Sequence, residues 1–108
     1  DLKNKIKKAK RKIILKNLNH FRDFISIKDI IKIILYFLKI NYFGIINISS
    51  GKKTKLSDIA KIIAKYYKKE IVIKNNISPT SLLSDNSLLK RKYKFKLNTN
   101  IKTMIFND

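Results

Sequence analysis

Between Lys28 and Ile48 the chain carries more apolar surface than a lone helix and a lone strand can hide. Over Lys28–Leu38 the residues Ile30, Ile31, Ile33, Ile34, Leu35, Phe37 and Leu38 wrap most of the way round a helix, and only Asp29, Lys32 and Lys39 form a polar stripe. After a break at Asn41–Phe43 comes GIINI, a continuous apolar run of the kind shown by a strand buried on both faces of a parallel sheet. Both pieces demand neighbours on more than one side, so the sequence points to a layered α/β fold.

The remaining segments alternate in the same way. Leu2, Ile6 and Ala9 share one face of a basic helix over residues 2–10, and Lys12–Leu15 is a short strand. Phe21–Ile27 alternates as a second strand. SSGKKT is a loop whose Thr54 is placed to cap the one-sided helix of Leu56, Ile59, Ile62, Ile63, Tyr66 and Tyr67. EIVI at Glu70–Ile73 is a strand, NNISPTS is a loop, Ser84 or Asp85 caps a short helix through SLLKRKY, and Thr99 caps a last one. These elements offer too little partner surface for the Lys28–Ile48 region. The chain therefore reads as one partial domain of 108 residues, the C-terminal part of a larger α/β protein, and the lack of an initiator Met is in keeping with that reading.

Composition removes several function classes. There is no cysteine and a single histidine, His20, so disulfides, thiolate metal sites and multi-histidine metal sites are not expected. No run of about 18 apolar residues is present, and the basic start DLKNKIKKAKRK lacks the apolar core of a signal peptide. The expectation is a soluble, cytoplasmic chain without a membrane partner. The net charge of +19 invites a nucleic-acid reading. Against it, only Arg11, Arg22 and Arg91 supply a guanidinium fork, and the lysines are spread over the whole length as solvated faces. A small basic nucleic-acid-binding protein is the alternative reading, with Phe21, Phe24, Tyr66, Tyr67 and Tyr93 as the available stacking rings.

In order, RDFISIKD, the apolar helix, INISSGKKTKLSDIAKIIAKYYKKEIVI and SDNSLLKRKYKFKLNTNI resemble the C-terminal portion of the extended short-chain dehydrogenase/reductase family. Within it they are most similar to the NAD-dependent epimerases and dehydratases of nucleotide-diphosphate sugars. The resemblance covers residues 12–106. It implies a Rossmann-type α/β protein in which residues 12–51 supply the last sheet strands of the cofactor domain and residues 52–108 form the small substrate-binding subdomain. It also implies that Arg22 reaches the substrate diphosphate, a role suited to a group that stays charged and forks two hydrogen bonds onto phosphate oxygens. Without the resemblance, Arg22 reads as a surface partner of Asp23 or a solvated arginine at a strand end. Asn47 is the amide that fixes the loop after GIINI or contacts substrate. Thr80, Ser81 or a lysine stand in as weaker substitutes for a second phosphate-binding arginine that NNISPTSLLSD lacks, and Asp29 and Asp85 read as structural residues at helix starts.

Departures from the pattern are equally specific. Ser49 replaces a glycine while Gly51 is kept, and Lys94 and Leu97 replace a glycine and a proline. No glycine-rich dinucleotide turn occurs, since Gly44 and Gly51 are not so spaced. The YFLK at Tyr36–Lys39 has the Tyr-x-x-x-Lys spacing but falls in the core-like helix, downstream of the family's catalytic pair. Hence no catalytic, cofactor-binding or metal residue is assigned. The resemblance implies NAD or NADP in a complete enzyme, with an N-terminal cofactor domain as partner and homodimerisation as an option. This chain alone is expected to bind no cofactor and to be inactive.

Overall fold

The computed structural model describes residues 1–107. The chain folds as a mixed α/β structure of two compact units that interleave in sequence, the first made of residues 1–22 and 53–82, the second of 23–52 and 83–108.

In the first unit, α1 (Leu2–Lys8) leads into β1 (Lys12–Lys16), and α3 (Leu56–Tyr67) leads into β4 (Glu70–Lys74). β1 and β4 pair in parallel, with Ile13 opposite Ile71, Ile14 opposite Val72 and Leu15 opposite Ile73. The Ile59, Ala60, Ile63 and Ala64 stripe of α3 is buried, as are Ile6 and Leu15, so the apolar period of the helix has become its core face. Small residues at positions 60 and 64 let α1 approach α3, the helix pair that packs together here. Lys68 closes α3 in the left-handed conformation (φ +55°), where glycine is the commoner choice.

Two expectations at this end need correction. Lys53–Lys55 is not a loop but a short strand, β3, paired with β2 (Phe21–Asp23). Thr54, held in that strand, does not cap α3, and its hydroxyl is buried without a hydrogen-bond partner. The first amides of α3 are satisfied by backbone instead. Leu56 N–H donates to the His20 carbonyl at 3.0 Å and Ser57 N–H to that of Leu18 at 2.8 Å.

The second unit is built on α2 (Ile27–Lys39), a π-type turn at Leu88–Lys92 and α4 (Ile101–Asn107). Ile33 and Leu89 are fully buried. In the same unit Tyr36, Phe37, Tyr93 and Phe95 pack largely edge to face, with Phe37 and Tyr93 centroids 4.9 Å apart. Asp29, buried in the first turn of α2, accepts the Asn98 amide at 2.7 Å, so it ties down a distant segment as well as facing the helix dipole. Asn100, not Thr99, caps α4 by accepting from Thr103 N–H.

GIINI forms no strand. Apart from Asp23 at the end of β2, its compact unit contains no strand among the described residues, so a backbone with strand composition has no ladder to join. Phe43 is 94 % exposed and Ile45 90 %, and Ile31, Ile34, Leu35 and Leu38 also stand open on α2. β2 is likewise shorter than the expected Phe21–Ile27, because Asp23 turns its carboxylate to a loop and Ile27 is already helical.

Candidate functional site

Parallel pairing of β1 and β4 sends the chain out of both strands in the same direction. Asparagines stitch the two exits together. Asn17, in the left-handed region, accepts from Asn76 N–H at 3.0 Å, Asn75 accepts from Leu18 N–H at 3.0 Å, and Asn19 donates to the Ile77 carbonyl at 2.9 Å. Asn tolerates that backbone and its short amide reaches neighbouring main chain, which explains its use here. The segments then meet in a parallel bridge between Phe21 and Ser81, with Phe21 N–H to Thr80 O at 2.8 Å and Leu82 N–H to Phe21 O at 3.1 Å. This places His20, Arg22, Thr80 and Ser81 together beyond the carboxyl ends of a parallel strand pair, the end at which open α/β sheets bind ligands.

Arg22 is half-buried, and its Nη1 donates to the Phe21 carbonyl at 2.7 Å and, more weakly, to the Thr80 carbonyl at 3.4 Å. A guanidinium has five N–H donors. The Nε and Nη2 edge, the fork that matches two oxygens of a phosphate, makes no hydrogen bond among the described residues. Thr80 presents its hydroxyl 2.9 Å from His20 Nδ1, and Ser81 is exposed. Lys53 extends over the Phe21 ring at 4.7 Å from the centroid and Lys55 at 5.9 Å, adding positive charge beside the bridge.

Arg22 is not spent on Asp23. The Asp23 carboxylate accepts three bonds from the SSG loop: Ser50 N–H at 2.9 Å, Ser50 hydroxyl at 2.7 Å and Gly51 N–H at 2.8 Å. Gly51 (φ +74°) lies so close to the Asn86 amide that a Cβ there would sit 2.7 Å from it, and that amide in turn donates to the Ser49 carbonyl. Gly51 is thus closely approached, and its neighbour is this chain's own Asn86. Gly44 similarly faces the Tyr42 ring. Both glycines thus face this chain's own side chains.

Asn47 lies in the second unit, exposed, and lines a pocket of about 120 Å³ with Ile45, Asp85, Ser87 and Leu88. Asp85 accepts from both the amide and the hydroxyl of Ser87, which hold its carboxyl below the usual carboxylate value. It organises the turn into Leu88–Lys92. Among the described residues no cluster of three potential metal ligands occurs, and no helix is long and apolar enough to cross a membrane.

Sequence reasoning missed two residues. His20 was visible only as the one histidine, two positions before Arg22 in an extended stretch, and its partner is 60 residues away. Asp23 was weighed only as a neighbour of Arg22; the signal for its loop role was an SSG turn rich in free N–H and O–H donors.

No protein-family model matches the chain, and no curated protein sequence matches it. Among solved structures, RMD from Pseudomonas aeruginosa complexed with NADPH is similar with a TM-score of 0.80 and 17 % sequence identity, over 96 % of this chain and 38 % of that one. At that identity the likeness is one of fold. The mixed α/β architecture with parallel strand pairing is shared with that structure, of which this chain spans well under half the length.

Proposed function

We propose that the chain is the substrate-binding C-terminal part of an NAD(P)-dependent enzyme of the extended short-chain dehydrogenase/reductase family that modifies nucleotide-diphosphate sugars. The observation that carries the reading is Arg22, steadied through Nη1 beyond the ends of β1 and β4 with its Nε–Nη2 fork unbonded. A diphosphate satisfies such a fork with two charge-assisted hydrogen bonds. Thr80 and Ser81 add hydroxyls beside it, and Asn47 enters on the sequence resemblance alone.

The coverage of the RMD chain supports the remainder of the proposal. In it, an N-terminal half carries the cofactor and the catalytic pair. The α2–GIINI part of residues 12–51 packs on that half, which would cover the exposed apolar face of α2 and the unladdered GIINI. Meanwhile β1 and β2 stay paired with β4 and β3 and, through Arg22, serve the substrate. The cofactor would supply hydride chemistry in the other half, while this chain's part is to hold and orient the diphosphate.

The test uses the enzyme completed by co-expression with an N-terminal nucleotide-binding half. Arg22→Ala is expected to weaken binding of a nucleotide-diphosphate sugar by about 100-fold, the worth of a bidentate charged pair, with Arg22→Lys intermediate. Unchanged affinity in Arg22→Ala would overturn the assignment. A salt titration separates the nucleic-acid alternative, which would be steeply salt-dependent and indifferent to Arg22. Of the candidate rings, Tyr93 is packed against Phe37 and Tyr42 and Phe21 lies under Lys53, which does not favour that alternative, while Tyr66 beside Tyr67 stays exposed.

A further inference from the structure

We propose that His20 is the positioning residue of the Arg22 site, holding residue 80 in place so that the guanidinium presents its Nε–Nη2 edge outward. The inference rests on the anion-binding reading of Arg22 and adds to it a residue that the resemblance does not supply.

The chain of contacts is short. Thr80 N–H donates to His20 Nδ1 at 3.0 Å, and the Thr80 hydroxyl lies 2.9 Å from the same nitrogen. A ring nitrogen that accepts a backbone N–H carries a lone pair, so the imidazole here bears its proton on Nε2. Residue 80, fixed this way at its N–H, presents the carbonyl of its following peptide unit to Phe21 N–H and to Arg22 Nη1. The backbone of His20 is itself fixed, because its carbonyl receives the first amide of α3. His20 is thus clamped through its main chain by α3 and passes that constraint through its side chain to residue 80. Arg22 Nη1 is the last link. If the Thr80 carbonyl swings away, Nη1 keeps only the Phe21 carbonyl of its own strand, and the fork can rotate out of register.

Three variants and three readouts test this on the full chain, each variant first checked for native secondary structure by circular dichroism. Inorganic pyrophosphate is the binding probe. His20→Leu is expected to weaken it by about tenfold, one lost hydrogen bond's worth of orientation. His20→Asn, whose Oδ1 takes the place of Nδ1, should restore affinity to within about twofold. A purely structural role for the ring would not be rescued by an amide. The second readout needs no ligand: nitrogen NMR of the Arg22 guanidinium should show slow rotation about Cζ–Nη1 in wild type and His20→Asn, and faster rotation in His20→Leu. The single histidine also makes its imidazole nitrogen spectrum unambiguous, with the Nε2–H tautomer expected.

If Arg22→Ala binds pyrophosphate as well as wild type, the anion-site reading fails, and the rotation measurement alone decides for or against His20. If Arg22 matters but His20→Leu changes neither affinity nor rotation, or if the imidazole carries its proton on Nδ1, the positioning role is wrong. Should His20→Leu fail to fold, His20→Gln, whose amide lies one carbon further out, replaces it with the same expected losses.

Discussion

The two compact units solve the problem of burying a small core in opposite ways. The first closes on itself. Parallel β1 and β4, α1 and the one-sided α3 share a core of Ile6, Leu15, Ile59 and Ile63, and asparagine bonds stitch the strand exits. The second is held by particular polar bonds and an aromatic cluster, with Asp23 on the SSG loop and Asp29 on Asn98, while much of α2 and the 43–45 stretch stays open. A unit that secures its loops with carboxylates yet leaves Leu38 68 % exposed has polar order in place and apolar burial unfinished. Isolated exposed apolar residues are ordinary, but a contiguous face on one helix marks a surface made to be covered.

The contrast can be broken first through the apolar residues. Ile63→Ala, in the closed unit, is expected to cost about 4 kcal/mol in urea unfolding, because it empties a packed site. Leu35→Lys and Leu38→Lys, on the open face of α2, should each change stability by under about 0.5 kcal/mol and reduce self-association seen by sedimentation. A large loss at Leu38 would mean that the face is already buried.

A smaller effect tests the polar order. Asp23→Ala removes the acceptor of three bonds from Ser50 and Gly51. It should destabilise the second unit by about 2 kcal/mol and speed amide exchange at those two residues, leaving β1 and β4 protected. Equal loss of protection in both units would show that their stabilities are not separable.

The smallest effect is electrostatic and exposed. Ser87 holds the Asp85 carboxyl below its ordinary value. A depressed folded pKa contributes stability that is present above the unfolded value and lost as pH falls through the folded one. The advantage of wild type over Asp85→Asn should therefore be constant at neutral pH and fade as pH falls from about 4. An advantage that grew on acidification would contradict the Ser87 contacts.

What the sequence made legible was whatever a local period encodes. The stripe of α3 and the over-apolar α2 were both readable, because helical spacing and burial share one cause. GIINI shows the limit: its composition states a preference for a two-sided buried strand, but a strand exists only with a ladder, and the partner is not written in the run itself. β3 escaped for the converse reason, since KTK has no strand signature and is extended because β2 lies beside it. At the candidate site, Arg22, Thr80 and Ser81 were readable one by one. Their meeting depends on the parallel register of β1 with β4, a long-range fact, and so does the His20 to Thr80 contact.

On the proposed function, α2 and GIINI form an interior face that a nucleotide-binding half would cover. Amide hydrogen exchange over residues 27–48, measured on the chain alone and on the chain bound to such a half, tests it most directly. Exchange at 44–48 should be nearly unprotected in the chain alone and slow by at least about a hundredfold in the complex, as a free segment becomes a paired strand. Strong protection of 44–48 in a monomeric, cooperatively melting chain, or none gained on complex formation, would contradict it.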